Sequence, residues 1–269
     1  MSRGRLIMAL VVAVISILAY YGKSAVNPVT QEKQHVGDIT PEHEVALGLQ
    51  AAPEMVQQFG GLDPDPQAQA LVDKVGERLV SRTVAAQSPY RFEFHLLDDP
   101  QTINAFALPG GQVAITEGLL RQLETEGQLA GVLGHEIGHV VARHGAEQIA
   151  KQQLTQGLTG AAVLATYDPN NPSSRGSAAV AAMIGQLVSM RFGRQDELES
   201  DDLGVRLASE AGYDPRSMIG LMKILAGSSE GGRPPEFFST HPNPENRVQR
   251  IEEAIQKRFP DGVPEGLER

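Results

Sequence analysis

His135, Glu136 and His139 are the residues whose types and spacing point most directly to chemistry. On a helix, positions four apart differ by only about 40° in azimuth, so the two imidazoles can converge on one cation. Glu136 lies about 100° from His135, within reach of a water at that cation. From Gln128 to Ala142 these three are the only titratable groups in an otherwise apolar, small-residue segment, so the helix is expected to be largely buried. Two imidazoles and a carboxylate buried without partners are costly, and a cation compensates all three.

A catalytic zinc needs a third protein ligand and one open position. His144 is nearest, but on a continuing helix it points about 180° from His135, and Glu147 about 120° away. Both therefore read as polar residues turned from the site. No Asp, Glu or His occurs from Gln148 to Tyr167. The next helical segment offers Glu197 and Asp201, which share a face with Gly204, Ala208 and Ala211 inside an apolar stripe. Glu199, Asp202, Arg206 and Glu210 take the opposite face and read as surface charge. Glu197 is assigned to the metal. Asp201, one turn on, is expected to accept the second ring proton of a ligating histidine. A purely structural ion pair is the competing reading for both.

The elements that must position these groups are legible around them. Thr40-Pro41 caps a helix whose apolar spacing is Val45, Leu49, Ala52 and Val56, ending near Gly60-Gly61. Asp65-Pro66 starts another through Leu71, Val75, Leu79 and Val80. Phe92, Phe94 and Leu96 alternate with polar residues as in a half-buried strand, and 104–108 and 112–116 read as two further strands around Pro109-Gly110-Gly111. The catalytic segment is expected to run as helix for at least twenty residues from Thr125. A second helix covers Gln195 to Ala211, a new one starts at Asp214-Pro215, and the last runs from Pro244 to Phe259. Between the catalytic helix and the one from Gln195, the apolar stretches 154–167 and 177–192 are each too short for a membrane span and are expected to form a buried helical pair, with membrane-surface contact or a mobile lid as the other readings. The fold class is α+β, mostly helical, with a small antiparallel or mixed sheet beside the HExxH helix.

Composition narrows the function classes. Lys+Arg total 23 against Asp+Glu 33, a formal charge of -10, which disfavours nucleic acid as a partner. There are no cysteines, so a metal site must be built from His, Asp and Glu. Arg3 and Arg5 precede an apolar run from Leu6 to Tyr21. At a rise of about 1.5 Å per residue the run reaches about 24 Å, against roughly 30 Å for a hydrocarbon core. Residues 1–24 are read as a signal peptide or signal anchor. The anchor is preferred because Ala19-Tyr20-Tyr21 and Lys23-Ser24-Ala25 lack small residues at both flanking positions and Gly22-Lys23-Ser24 is only passable as a cleavage site. The arginines place the amino terminus inside and the domain outside. Residues 25–39 then read as a linker, 40–259 as the catalytic domain and 260–269 as a flexible tail.

HEIGH followed by a Glu-x-x-x-Asp helix, preceded by NAFALPGG at 104–111 and followed by Thr240-His241-Pro242 with Arg247, resembles the gluzincin metallopeptidases of the HtpX and CAAX-prenyl-protease family. The single apolar N-terminal run makes it more similar to the exported bacterial quality-control branch, the BepA-like and LoiP-like proteases. Ser200 stands where that family usually has Ala. The resemblance implies a zincin-like domain with one Zn2+ per chain, held by His135, His139 and Glu197, with Glu136 as general base. It implies that His241 either stabilises charge on the scissile carbonyl or acts as a removable fourth ligand, that Arg247 steadies this region, and that Asn104, Ala105, Phe106 and Ala107 form the edge strand on which an extended substrate pairs. The expected function is hydrolysis of unfolded or misfolded envelope proteins on the periplasmic side of the inner membrane, or in the soluble periplasm if the signal is cleaved. A zinc-stabilised chaperone or adaptor that does not cut is the alternative, and a cytosolic prenyl-peptide protease is a third reading.

Overall fold

The computed structural model describes residues 3–22, 24–166, 191–228, 235–242 and 246–269. Helix α1 is Arg3–Tyr21, followed by the short antiparallel pair β1 (Ala25–Val26) and β2 (Lys33–Gln34). Helices α2 (Pro41–Gln58) and α3 (Pro66–Ser81) begin where Thr40 and Asp65 accept hydrogen bonds from the first free backbone amides. Strands β3 (Glu93–Leu97), β4 (Ala105–Leu108) and β5 (Gln112–Thr116) form one sheet in the order β3-β5-β4, with β5 parallel to β3 and antiparallel to β4. A short α4 (Glu117–Leu120) leads to α5 (Glu126–Val141) and α6 (His144–Thr166). Then come α7 (Arg194–Glu210), α8 (Ser217–Gly227), α9 (Phe237–Thr240) and α10 (Arg247–Arg258).

The sheet is covered on both faces, which is why β5 is buried throughout. Phe94, Leu96, Ala105, Val113 and Ile115 join α3, α5, α7 and α8 in the larger core. Leu97, Phe106, Leu108 and Ala114 face a smaller core completed by Ala51 and Met55 of α2 and Ala146, Ile149 and Ala150 of α6. The α+β class, the mixed sheet and its place beside the HExxH helix match the sequence reading.

Several boundaries differ from that reading. Helix α2 buries Glu44, Gly48, Ala51 and Met55, whereas Leu49 is 52% exposed. The turn after β4 presses its backbone onto this helix, and a Cβ on Gly48 would lie 2.0 Å from the Pro109 carbonyl oxygen. A backbone contact and the Glu44 ion pair thus shift the buried face toward Gly48 and leave Leu49 out, while Ala52 and Val56 of the expected stripe pack against the smaller core. The stretch read as a linker buries Val29, Val36 and Ile39, and Asn27 Nδ2 donates to the Val141 carbonyl at the end of α5 (2.7 Å). The tail is pinned as well: the Asp214 amide donates to the Glu268 carbonyl (2.7 Å) and the Glu268 amide to that of Gly212 (3.0 Å).

Residues 154–166 form the outer half of α6, which packs along α1, and Leu158 is exposed rather than buried. Of the second apolar stretch, 177–190 lies outside the described residues. The expected N-terminal span is helical, but among the described residues no helix is long and apolar enough to cross a membrane.

Candidate metal centre

Helix α5 starts at Thr125, whose side chain accepts from the Gln128 amide (3.2 Å), and every residue from Gly127 to Val141 is buried. Leu129, Leu133 and Ile137 anchor it in the larger core, each contributing roughly 1.5–3 kcal/mol of apolar burial. The face opposite is nearly bare. A Cβ on Gly138 would meet Ser200 Oγ at 2.7 Å, and one on Gly204 would meet the His135 nitrogen at 3.3 Å. Small residues therefore let α7 approach α5 closely enough for Glu197 to reach the histidines. Ser200 Oγ donates to the His135 carbonyl (2.6 Å), a contact the alanine usual at this position would lack.

Four ligand atoms converge, from His135, His139, Glu197 and His241. His135 Nε2 lies 3.1 Å from His139 Nε2, 3.3 Å from His241 Nδ1 and 3.6 Å from Glu197 Oε2. Glu197 Oε1 lies 3.5 Å from His139 Nε2 and 3.2 Å from His241 Nδ1. A tetrahedral centre with bonds of about 2.0–2.1 Å would set its ligand atoms about 3.3–3.4 Å apart. The donor set fits one cation of zinc's size and ligand preference. Among the described residues, Glu197 Oε2, which has Arg247 Nη1 at 3.4 Å, and both oxygens of Glu136 are buried and accept no hydrogen bond, as expected of groups shaped for a cation and a reacting water.

His135 is backed by Asp201, whose Oδ1 is 2.9 Å from His135 Nδ1, and Asp201 is clamped by Arg247 through Nε (2.7 Å) and Nη2 (2.8 Å). Burial pushes the Asp201 carboxyl up, but Arg247 and His135 overcome it and hold it below the usual range. Burial likewise opposes the His135 imidazolium, yet Asp201 and Glu197 hold it up to about 9. Glu197 is held low against its burial by His241 and His135. Burial raises Glu136, and burial with three neighbouring imidazoles holds His139 well below its ordinary value. Glu136 Oε1 faces His241 Nε2 at 3.5 Å.

Phe192 stacks on His139 at 3.9 Å between ring centroids, and Phe237 on His241 at 4.5 Å. The ligands are all at most 2% exposed, so the centre is closed in this conformation. Ala107 and Leu108 of β4 border a narrow cleft beside His139, Arg143 and Phe192. Asn104 is 2% exposed, and its Oδ1 accepts no hydrogen bond among the described residues.

Thus the structure brings His135, Glu136, His139, Glu197, Asp201, His241 and Arg247 into one cluster, with Ala107 at its border. Two residues read as turned away are also there. His144 is 2% exposed and its Nδ1 lies 2.9 Å from His139 Nδ1, while Glu199 Oε2 lies 3.2 Å from His144 Nε2. The helix does not continue through Arg143, whose φ is 58°, so the azimuth that excluded His144 does not apply.

The model of the family described as Peptidase family M48 matches residues 66–255. The chain belongs to peptidase family M48. It carries a metallopeptidase domain on the zincin-like plan, with the HExxH helix against a small mixed sheet. The beta-barrel assembly-enhancing protease of Escherichia coli (strain K12) is 36% identical over 214 residues, covering 74% of this chain and 42% of that protein. The mitochondrial metalloendopeptidase OMA1 of Schizosaccharomyces pombe is 32% identical over 224 residues, covering 82% of this chain and 64% of that protein. The chain thus spans about two fifths of the length of the bacterial relative.

Proposed function

We propose that the protein is a zinc-dependent endopeptidase that cuts unfolded or misfolded proteins of the bacterial envelope. The observation that carries this is the convergence of four ligand atoms, 3.1–3.6 Å apart in the pairs given above, beside the unpartnered carboxylate of Glu136. When bound, zinc would lower the pKa of a water to about 7 and polarise the scissile carbonyl. His135, His139 and Glu197 hold the ion. Glu136 takes a proton from the attacking water and passes it to the leaving amine.

His241 would be the removable fourth ligand in this reading: with all four residues on the ion no position would be open for water, so His241 would have to give way to substrate. The alternative role, a donor to the carbonyl's developing charge, would apply after that movement. Extended substrate pairs along the outer side of β4 at Asn104, Ala105, Phe106 and Ala107, the edge strand of the sheet. Backbone pairing reads extension more than side chains, which supports unfolded chains as the substrate class. Export to the periplasmic side, with the N-terminal helix as anchor or cleaved signal, is supported by Arg3 and Arg5 before an apolar run and by exposed Leu6, Leu10, Ile15 and Leu18.

Incubation with denatured casein tests the reading. Glu136→Gln should keep zinc and lose about 10²–10⁴-fold in cleavage, whereas His139→Ala should lose both. Wild-type protein that binds casein but releases no chelator-sensitive fragments would favour the non-cutting chaperone instead.

A further inference from the structure

His144 contributes no ligand atom, yet it lies buried against one metal-binding imidazole. His139 presents Nε2 to the centre, 3.1 Å from His135 Nε2 and 3.5 Å from Glu197 Oε1, so its Nδ1 faces outward. There it meets His144 Nδ1 at 2.9 Å. Two ring nitrogens at that distance need one proton between them. If Nε2 of His139 offers a lone pair to a cation, Nδ1 carries the proton and His144 Nδ1 accepts it. With Nδ1 of His144 as the acceptor, the proton of that ring sits on Nε2, which is 3.2 Å from the acceptor Glu199 Oε2. The opposite assignment would put the His139 proton on Nε2, aimed at the converging ligands where a cation needs a lone pair. Only one direction satisfies the whole chain.

We propose that His144 is a positioning residue for the metal, holding His139 in the tautomer that presents Nε2, with Glu199 orienting His144 in turn. This rests on the metal-centre reading above. The backbone is built for it: Arg143 takes a left-handed φ of 58°, a conformation unfavourable for a non-glycine residue, and so turns His144 back toward His139. Arg143 Nε donates to Glu44 Oε2 (2.8 Å), its Nη2 donates to the Ile39 carbonyl (2.7 Å), and Tyr90 Oη donates to the same Glu44 oxygen (2.7 Å). These bonds hold the strained turn in place. Partners behind ligating histidines fix tautomer and raise basicity, and their loss commonly costs 10–100-fold in metal affinity.

The test uses the full chain and zinc alone, with affinity read by competition against a chromophoric chelator. His144→Leu should lose about 10–100-fold in zinc affinity. His144→Asn, whose side-chain oxygen falls near the position of Nδ1, should recover to within a few-fold of wild type. Zinc-loaded wild type should show, by nitrogen–proton correlation NMR, His139 protonated on Nδ1, a readout that does not depend on any variant folding. Wild-type affinity in His144→Leu, or a His139 proton on Nε2, overturns the proposal while leaving the centre intact. If His139→Ala binds zinc as wild type does, the metal-centre reading falls and this inference with it.

Discussion

His135 and His139 stand one turn apart on the same helix and are held from behind by different chemistry. Behind His135 is Asp201, ionised, 2% exposed and gripped by two guanidinium hydrogen bonds from an equally buried Arg247. Behind His139 is a second imidazole, His144, whose partner Glu199 keeps about a quarter of its side chain exposed. The first arrangement puts a full charge in a low-dielectric interior and depends on α5, α7 and α10 docking together. The second passes through a second imidazole to a partly exposed carboxylate and depends on the turn at Arg143 that Glu44 and Ile39 hold. A buried ionic clamp orients strongly but is costly to disturb, while such a relay adds direction at little electrostatic risk.

The comparison breaks most severely at Arg247. Arg247→Met leaves Asp201 and Glu197 without their cation partner and should destabilise the fold by about 3–5 kcal/mol, read by urea unfolding. A loss below 1 kcal/mol would mean that the clamp is dispensable. Next is Asp201→Asn, which keeps the shape and removes the charge; zinc affinity should fall about 10–100-fold. If Asp201→Asn bound zinc like wild type while His144→Leu did not, the order of the two supports would be reversed.

The third prediction concerns pH. In protein stripped of metal, His135 is held up to about 9, above its unfolded value near 6.5. Its stabilisation is therefore fully present below pH 6.5 and is lost as pH rises through 9. Zinc must displace that proton, so apparent affinity should climb by up to about tenfold per pH unit between 6.5 and 8.5, and the rise in Tm on zinc addition should be larger at the upper end. Asp201→Asn should flatten this slope and His144→Leu should leave it unchanged; a flat wild-type profile contradicts the first. The smallest effect belongs to Glu199→Gln. Its partial exposure limits the loss to less than about 1 kcal/mol in zinc binding or stability. A loss as large as that of Asp201→Asn would show that the relay carries charge after all.

Much of this protein could be read from local pattern because the relevant physics is local. Two histidines four apart on an apolar helix set their own azimuth, caps at Thr40, Asp65 and Thr125 mark helix starts, and alternation marks β3. The stripe carrying Glu197 and Asp201 was legible because a helix fixes which side chains share a face. Other features depended on contacts between distant segments. Leu49 of α2 was left exposed by a backbone contact at Gly48 that its own hydropathy does not show, and the tail acquired order only by meeting Gly212 and Asp214. Arg143 could adopt its left-handed turn only because Glu44 and Ile39, about a hundred residues earlier, hold it there. That turn brings His144 to His139 and Glu199 to His144, so the second support of the metal centre depends on docking free energy that no single stretch of chain contains.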